Sequence, residues 1–495
     1  MAARMNDAEA IMWMVESDPF LRSDFMNVTV LDRPPDAARL RTSIGRAIAA
    51  YPPLRQRVIG PPLGLAPPVW ADDPDFDIEY HLRHVAVPPP GGMRQLLDLA
   101  AALAAAPLDR ARPLWEVTVV EGLAGGRAAA LQRLHHSLTD GVGGVKLLRT
   151  VFERSPGEPP AHREPSPDPL VWRHPEIFSP GDAAPGALDG WLATRVEAGG
   201  AEAPWPALDG LAVPLGGMGS ALAYRLGQGL AAARKGVELA GTLRSTDELR
   251  LLAERARRTA RSVADQVVVA GGALSPLMEA RSLTRCFQTH SLDLAGVREA
   301  GRRLGGSRND VFVAGVTGAL LAYHEQMGVP CEALRMAVPL SLQGRPGGLG
   351  GNHFALARTV IPLGPEDPAK RLARTREVLA EVAAEPGLNL AESLAGLVSL
   401  LPPALLVPAL RAQARTVDFA VSIVPGLRAD RWLAGGQVEG SWPMGPRMGC
   451  AVNLTLLACG DRLDLGVNLD PAAVTHPAAF MDCLRDSFED LLQAG

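Results

Sequence analysis

Cysteine is scarce in this chain of 495 residues: Cys286, Cys331, Cys450, Cys459 and Cys483 are odd in number, widely spaced and without a CxxC pair. Neither a disulfide frame nor a zinc ribbon is indicated, and the five read as core residues of a reducing compartment. Charge of one sign is also lacking. The formal net charge is −5, and no segment carries the dense basic run that a phosphate backbone would require, which argues against nucleic acid as a partner. The longest apolar stretch, Leu394 to Leu410, is interrupted by Pro402, Pro403 and Pro408 and falls short of the roughly 20 residues that span a bilayer. No basic region followed by an apolar core opens the sequence, so secretion is not expected and a cytoplasmic protein is. No HExxH helix completes a metal site. The glycines from Gly344 to Gly351 contain neither GxxxxGK nor a properly placed GxGxxG, so phosphate-loop chemistry is not expected either.

What is present is ordinary for a folded chain: 47% apolar and 21% charged residues, long enough for about three domains or two large ones. With 51 glycines and 43 prolines, many loops must join the regular segments. Apolar periodicity predicts helices over Ala37 to Tyr51 and Met93 to Ala106, and strands over Trp115 to Val120 and Ala128 to His135. Nine prolines between Pro156 and Pro185 mark a linker, and the pattern from Ser220 to Val269 is helical, with a solvated basic face. Strand and helix alternate again from about Ser282. Leu463, Leu465, Val467 and Leu469 alternate with Asp464, Gly466, Asn468 and Asp470 after a Gly460-Asp461 turn, which predicts a hairpin strand with one buried face. The expected organisation is an α/β first half (1–155), a linker and helical crossover (156–281) and an α/β second half (282–495).

Chemistry concentrates at His135-His136-Ser137-Leu138-Thr139-Asp140-Gly141, where a strand ends and a helix begins near Val142. The helix amino terminus presents unpaired N–H groups and a partial positive charge, which favours neutral imidazole over imidazolium. A neutral histidine is what a general base must be. Taken singly, each residue also has a structural reading, with Asp140 as a helix cap and the following glycines as a close-packing turn.

The seven residues together form an HHxxxDG pattern, which resembles the signature of condensation-domain-like, CoA-dependent acyltransferases. Pro113-Leu114-Trp115 resembles the PLW motif and Ser307-Arg308-Asn309-Asp310 the ND motif of bacterial wax ester synthase/diacylglycerol acyltransferases, in that family's order. The likeness runs from Asn6-Asp7-Ala8 through Pro53 to Arg57 and Gly351 to Phe354, as far as Val424-Pro425-Gly426. It implies two chloramphenicol-acetyltransferase-like halves with a tunnel between them. By the same resemblance His136 is the base, supported by His135, and takes the proton of an alcohol or diacylglycerol as it attacks acyl-CoA. No GxSxG elbow offers a covalent serine route.

The resemblance further implies Asn309 as an amide that orients the alcohol or stabilises the oxyanion, although Ser307 to Asp310 also fits a capping box. Asp140 and Gly141 are implied as structural at the site, with Asp140 expected to pair with Arg55 or Arg57. Trp115, with Pro113 and Leu114, either walls the acyl or alcohol channel or is an ordinary core aromatic at a strand start, and strand-end Ser341 and Ser422 are weaker channel candidates. Ile423 stands where the family usually has asparagine before Val-Pro-Gly, which bears on acceptor identity. Neither metal nor redox cofactor is implied, and CoA enters as substrate. Leu394 to Leu410 is the candidate contact with a membrane or lipid-droplet surface, a core or tunnel-wall helix broken by proline being the other reading. Two other functions fit the same fold: a condensing enzyme that draws its acyl group from a carrier protein, and a lipid-binding member without turnover.

Overall fold

The structure, a computed structural model, describes residues 3–60, 68–153, 155, 271–341, 354–364, 367–384, 403–427 and 431–494. The Pro-rich linker and the Ser220 to Val269 pattern lie outside the described residues. The first half contributes β1 (Ala3–Arg4), β2 (Asp24–Leu31), β3 (Gln56–Ile59), β4 (Val69–Asp72), β5 (Leu82–Ala86), β6 (Trp115–Glu121) and β7 (Ala128–His135). Its longer helices are α1 (Asp7–Val15), α2 (Ala37–Ala50), α3 (Met93–Ala105) and α4 (Gly141–Val151). The second half contributes β8 (Cys286–Asp293), β9 (Ala333–Ser341), β10 (Phe354–Pro362), β11 (Phe419–Leu427), β12 (Trp432–Leu433), β13 (Gly436–Met444), β14 (Val452–Cys459) and β15 (Arg462–Leu469). Its helices are α5 (Leu294–Arg303), α6 (Arg308–Gln326), α7 (Pro368–Ala383), α8 (Pro403–Ala414) and α9 (Pro477–Gln493).

Two six-stranded mixed sheets carry the halves, in the orders β12-β13-β2-β7-β6-β5 and β10-β9-β11-β14-β15-β8, beside a small sheet β1-β4-β3. Two strands from beyond residue 282, β12 and β13, lie in the sheet of the first half. β13 leaves its own half and pairs antiparallel with β2, Ser441 opposite Thr29 and Trp442 opposite Val28. Nothing in the local pattern of Gly436 to Met444 announces that choice, because the partner strand lies some 400 residues away in sequence.

The same crossover corrects the expectation of one buried face on β15. Its polar residues are buried too, because they meet the donated strand rather than water. Asp464 accepts from the Ser441 backbone N–H at 2.9 Å, and the Asn468 amide donates to the Gly445 carbonyl at 2.9 Å. Alternation was read correctly as a strand; what the polar side faced was not local information.

The halves also share apolar packing. Val424, Leu427 and Leu457 of the second half belong to the cluster that includes Leu114, Trp115, Leu138 and Val145 of the first. The motif helix α4 and the Val-Pro-Gly strand β11 therefore meet at the seam, which is where the site lies.

Candidate active site

β7 ends at His135, so alternation sends successive side chains to opposite faces, and the two histidines acquire different surroundings. His135 is 1% exposed and both of its ring nitrogens are engaged. Nδ1 accepts from the Ser137 backbone N–H at 3.0 Å, which places the ring proton on Nε2. That nitrogen lies 3.0 Å from Glu16 Oε2 and 3.0 Å from Ser23 Oγ. Both nitrogens of His135 are thus committed within the protein, directly before His136 in the chain.

His136 is half-buried. Its backbone N–H donates to the Ser23 carbonyl at 3.2 Å, and its ring is tilted 54° against Phe25 with centroids 4.9 Å apart. Nδ1 is shielded from solvent. Burial, and after it the neighbouring His135, lower the imidazole to about 4, while Asp24 and a backbone hydrogen bond with Thr139 oppose the shift. The ring is therefore neutral at physiological pH.

The loop after His136 is held from three sides. The Tyr51 hydroxyl donates to the Leu138 carbonyl, Leu114 accepts from the His135 N–H at 3.0 Å, and Asp140 caps α4 by accepting from the Gly143 N–H at 2.8 Å. Gly141 is required by contact across the seam: a Cβ there would lie 2.6 Å from Val424 Cγ1. Because a β-branched side chain cannot swing aside, Gly141→Ala is expected to lower stability by about 1–3 kcal/mol. Denaturant unfolding of G141A, V424A and the double variant should show coupling, with the second change recovering part of the loss. Simple additivity would mean that α4 and β11 do not touch.

Beneath the histidines runs an ionic network that the sequence reading missed. Arg133, 2% exposed, lies two residues before His135 and pairs with Asp24 at 2.9 Å and with Glu116 at 3.1 Å. It also donates to the carbonyls of Leu103 at 3.1 Å, Ala104 at 3.3 Å and Ala106 at 2.5 Å, which closes the carboxyl end of α3. Arg285 of the second half holds the other oxygen of Asp24 at 3.0 Å. Burial alone would raise the Asp24 carboxyl, but Arg285 and Arg133 outweigh it and lower it to about 2. A charge on an otherwise apolar strand was the available signal, since such a residue must be paired.

The remaining expected residues fall as follows. Pro113, Leu114 and Trp115 are buried, and Trp115 donates from Nε1 to the Leu54 carbonyl at 2.6 Å while stacking on His81 at 4.4 Å. Leu114 and Trp115 belong to the core that seats β7 against β6. Arg55 does not meet Asp140; it lies 3.8 Å from Asp72 on the small sheet. Arg57 forms no ion pair among the described residues. Ser307 and Asp310 form the reciprocal capping box of α6. Asn309 is buried at the start of that helix, and no hydrogen bond among the described residues joins it to His135 or His136. Ser422 and Ile423 are half-buried on β11. Ser341 ends β9, and its side chain lies outside the described residues. A second serine–histidine pair, Ser275 Oγ to His324 Nε2 at 2.7 Å, is fully buried and cannot meet a substrate.

The wax ester synthase/diacylglycerol acyltransferase catalytic domain matches residues 1–190, and the WS/DGAT C-terminal domain matches residues 350–492. A protein of Mycobacterium tuberculosis named "Putative diacyglycerol O-acyltransferase Rv2484c" is 33% identical over 492 residues, which cover 99% of this chain and 91% of the relative. The chain belongs to the wax ester synthase/diacylglycerol acyltransferase family. Another M. tuberculosis protein, "Putative diacyglycerol O-acyltransferase Rv3087", is 31% identical over 515 aligned positions, covering 99% of this chain and 97% of the relative.

The fold of this acyltransferase is similar to that of a solved structure named for the wax ester synthase/diacylglycerol acyltransferase of Marinobacter aquaeolei, with a TM-score of 0.59 at 19% identity, covering 99% of this chain and 98% of that one. It is also similar to the first condensation domain of the calcium-dependent antibiotic synthetase, with a TM-score of 0.59 at 16% identity, covering 100% of this chain and 97% of that one. These likenesses support the two-half α/β architecture. In the acyltransferase, the HHxxxDG residues lie where those halves meet.

Proposed function

We propose that this acyltransferase moves a fatty acyl group from acyl-CoA to the hydroxyl of a long-chain alcohol or diacylglycerol, with His136 as general base. The observation that carries the reading is a neutral, half-buried imidazole at the seam between the halves, with Nδ1 shielded and His135 locked behind it. Nε2 takes the hydroxyl proton as the oxygen attacks the thioester carbonyl; the carbon–sulfur bond then breaks, and the proton passes to the departing CoA sulfur. Ester and free CoA are the products, and no acyl-enzyme forms. Asp24 favours the imidazolium that develops during attack, because its charge already opposes the lowering of His136. The step is written without Asn309 and without a resident metal or redox cofactor.

Purified protein should be offered palmitoyl-CoA with and without hexadecanol and dipalmitoylglycerol, and the products identified by mass. Ester formed only when an acceptor is present supports the reading. Absence of ester with both acceptors removes it.

The lipid substrates bring a membrane surface into the proposal. No helix among the described residues is long and apolar enough to cross a membrane. α8 instead leaves Leu405 63% exposed; residues 394–402 of the expected segment lie outside the described residues. Leu405→Glu is expected to reduce flotation with liposomes by several-fold, since a charge at an interface opposes insertion of the apolar face. Unchanged flotation of the folded variant would argue against this contact.

A further inference from the structure

Glu16 closes α1 as its carboxyl-terminal cap, where the helix dipole disfavours a negative charge, and its side chain is only 7% exposed. A carboxylate stays in such a place because of what it binds. Here one oxygen, Oε2, does the binding. The Ser23 backbone N–H donates to it at 3.1 Å, and His135 Nε2 lies 3.0 Å away. Oε1 accepts no hydrogen bond among the described residues.

Ser23 commits all three of its polar groups to the same constellation. Its N–H meets Glu16, its hydroxyl lies 3.0 Å from His135 Nε2, and its carbonyl accepts from the His136 N–H at 3.2 Å. The residue is fully buried, so no solvent stands ready to replace a lost partner. On the other side of His135 the Ser137 N–H donates to Nδ1 at 3.0 Å. A proton on Nδ1 would face that hydrogen, which leaves the His135 proton on Nε2, directed at Glu16. The carboxylate whose charge bears on the His136 ring is Asp24; what Glu16 contributes to that ring is geometry.

We propose that Glu16 is a positioning residue for the acyl transfer: by receiving the His135 Nε2 proton and the Ser23 N–H on one oxygen, it fixes the Ser23 carbonyl that holds His136, and so the direction in which His136 meets the acceptor hydroxyl. The inference rests on His136 as general base. It requires a hydrogen-bond acceptor at the position of Oε2, not a negative charge. A displacement of about 1 Å at the base costs up to about 10²-fold in rate without touching substrate affinity.

The test combines steady-state ester formation with hydrogen exchange on the full chain, in the unsubstituted protein, Glu16→Ala, Glu16→Gln, Glu16→Asp and His136→Ala. Glu16→Ala is expected to lower kcat by about 10- to 100-fold, with the KM of acyl-CoA and of the acceptor changed less than about twofold. Glutamine presents a carbonyl oxygen where Oε2 lies, so Glu16→Gln should recover kcat to within about threefold of the unsubstituted protein. Aspartate keeps the charge but falls short by one methylene, and should lose about tenfold or more. Hydrogen exchange needs no turnover and reads the link itself: the segment carrying the His136 N–H should exchange at least about tenfold faster in Glu16→Ala and Glu16→Asp than in Glu16→Gln. If Glu16→Ala does not fold, the glutamine and aspartate variants carry both measurements. Aspartate as active as glutamine, full turnover in Glu16→Ala, a KM that rises as kcat falls, or equal exchange in all the variants would overturn the assignment. Turnover retained in His136→Ala would remove the base reading instead, whereas turnover lost in His136→Ala and intact in Glu16→Ala would keep the base and remove only the part given to Glu16.

Discussion

Replacing His136 by alanine is expected to lower kcat by about 10²- to 10⁴-fold, the range that a positioned general base contributes, while the far-UV spectrum and acyl-CoA affinity are retained. The expectation follows from the separation of the two histidines. His135 has both ring nitrogens occupied within the protein, so it cannot take over the proton. Activity retained in His136→Ala would sink the base assignment, and loss of CoA binding together with kcat would point to a binding role instead.

The pH dependence gives a second reading of the same ring. Since the folded imidazole is lowered to about 4 from an ordinary 6.5, kcat/KM is expected to stay level from neutral pH down to about 5 and to fall only toward 4. An acid limb centred near 6.5 would contradict the neutral, desolvated ring. Stability moves in the other sense from that of a paired histidine. Below about 6.5 the unfolded chain takes up a proton that the folded ring refuses until about 4, so stability falls with pH across that window, by on the order of 3 kcal/mol in all. Alanine at 136 should flatten that slope, which urea midpoints at pH 7 and 5 would show.

Local pattern carried much of this architecture. The strand Ala128–His135 matches its expected bounds, and the helices from Ala37 and Met93 begin where expected, because side-chain period and capping residues are local signals. The histidine motif was legible for the same reason: a strand end followed by a helix start needs only neighbouring residues to be recognised. What escaped was everything decided by distant partners. Trp115 stacks on His81, a partner that no local pattern names; Arg55 looked available to Asp140 and instead faces Asp72. The polar side of β15 looked solvated and instead meets β13. Periodicity tells which residues share a face, not what covers it.

Arg133→Met is the substitution with the largest expected cost to the fold, about 3 kcal/mol, near the lower end for breaking a buried ion pair. The lower end applies because neither carboxylate is left wholly alone. Asp24 keeps Arg285 at 3.0 Å, and Glu116 keeps Arg83 at 3.1 Å. The helix-end carbonyls of Leu103, Ala104 and Ala106 have no such reserve in the network, and methionine cannot donate to them. Lysine keeps the charge but lacks the planar fork that reaches both carboxylates and the helix end, so Arg133→Lys should recover only part of the loss. The Asp24 carboxyl should also rise from about 2 once one of its two guanidinium partners is gone. Its contribution in the unsubstituted protein is complete above about pH 4 and disappears as pH falls toward 2; in Arg133→Met that contribution should be smaller and be exhausted at higher pH, while its onset, set by the unfolded carboxyl, stays where it was. Urea unfolding of the three proteins at pH 7 and pH 4 measures both effects. A midpoint unchanged by Arg133→Met would mean that the network contributes nothing to holding β7, and with it His136, against the second half.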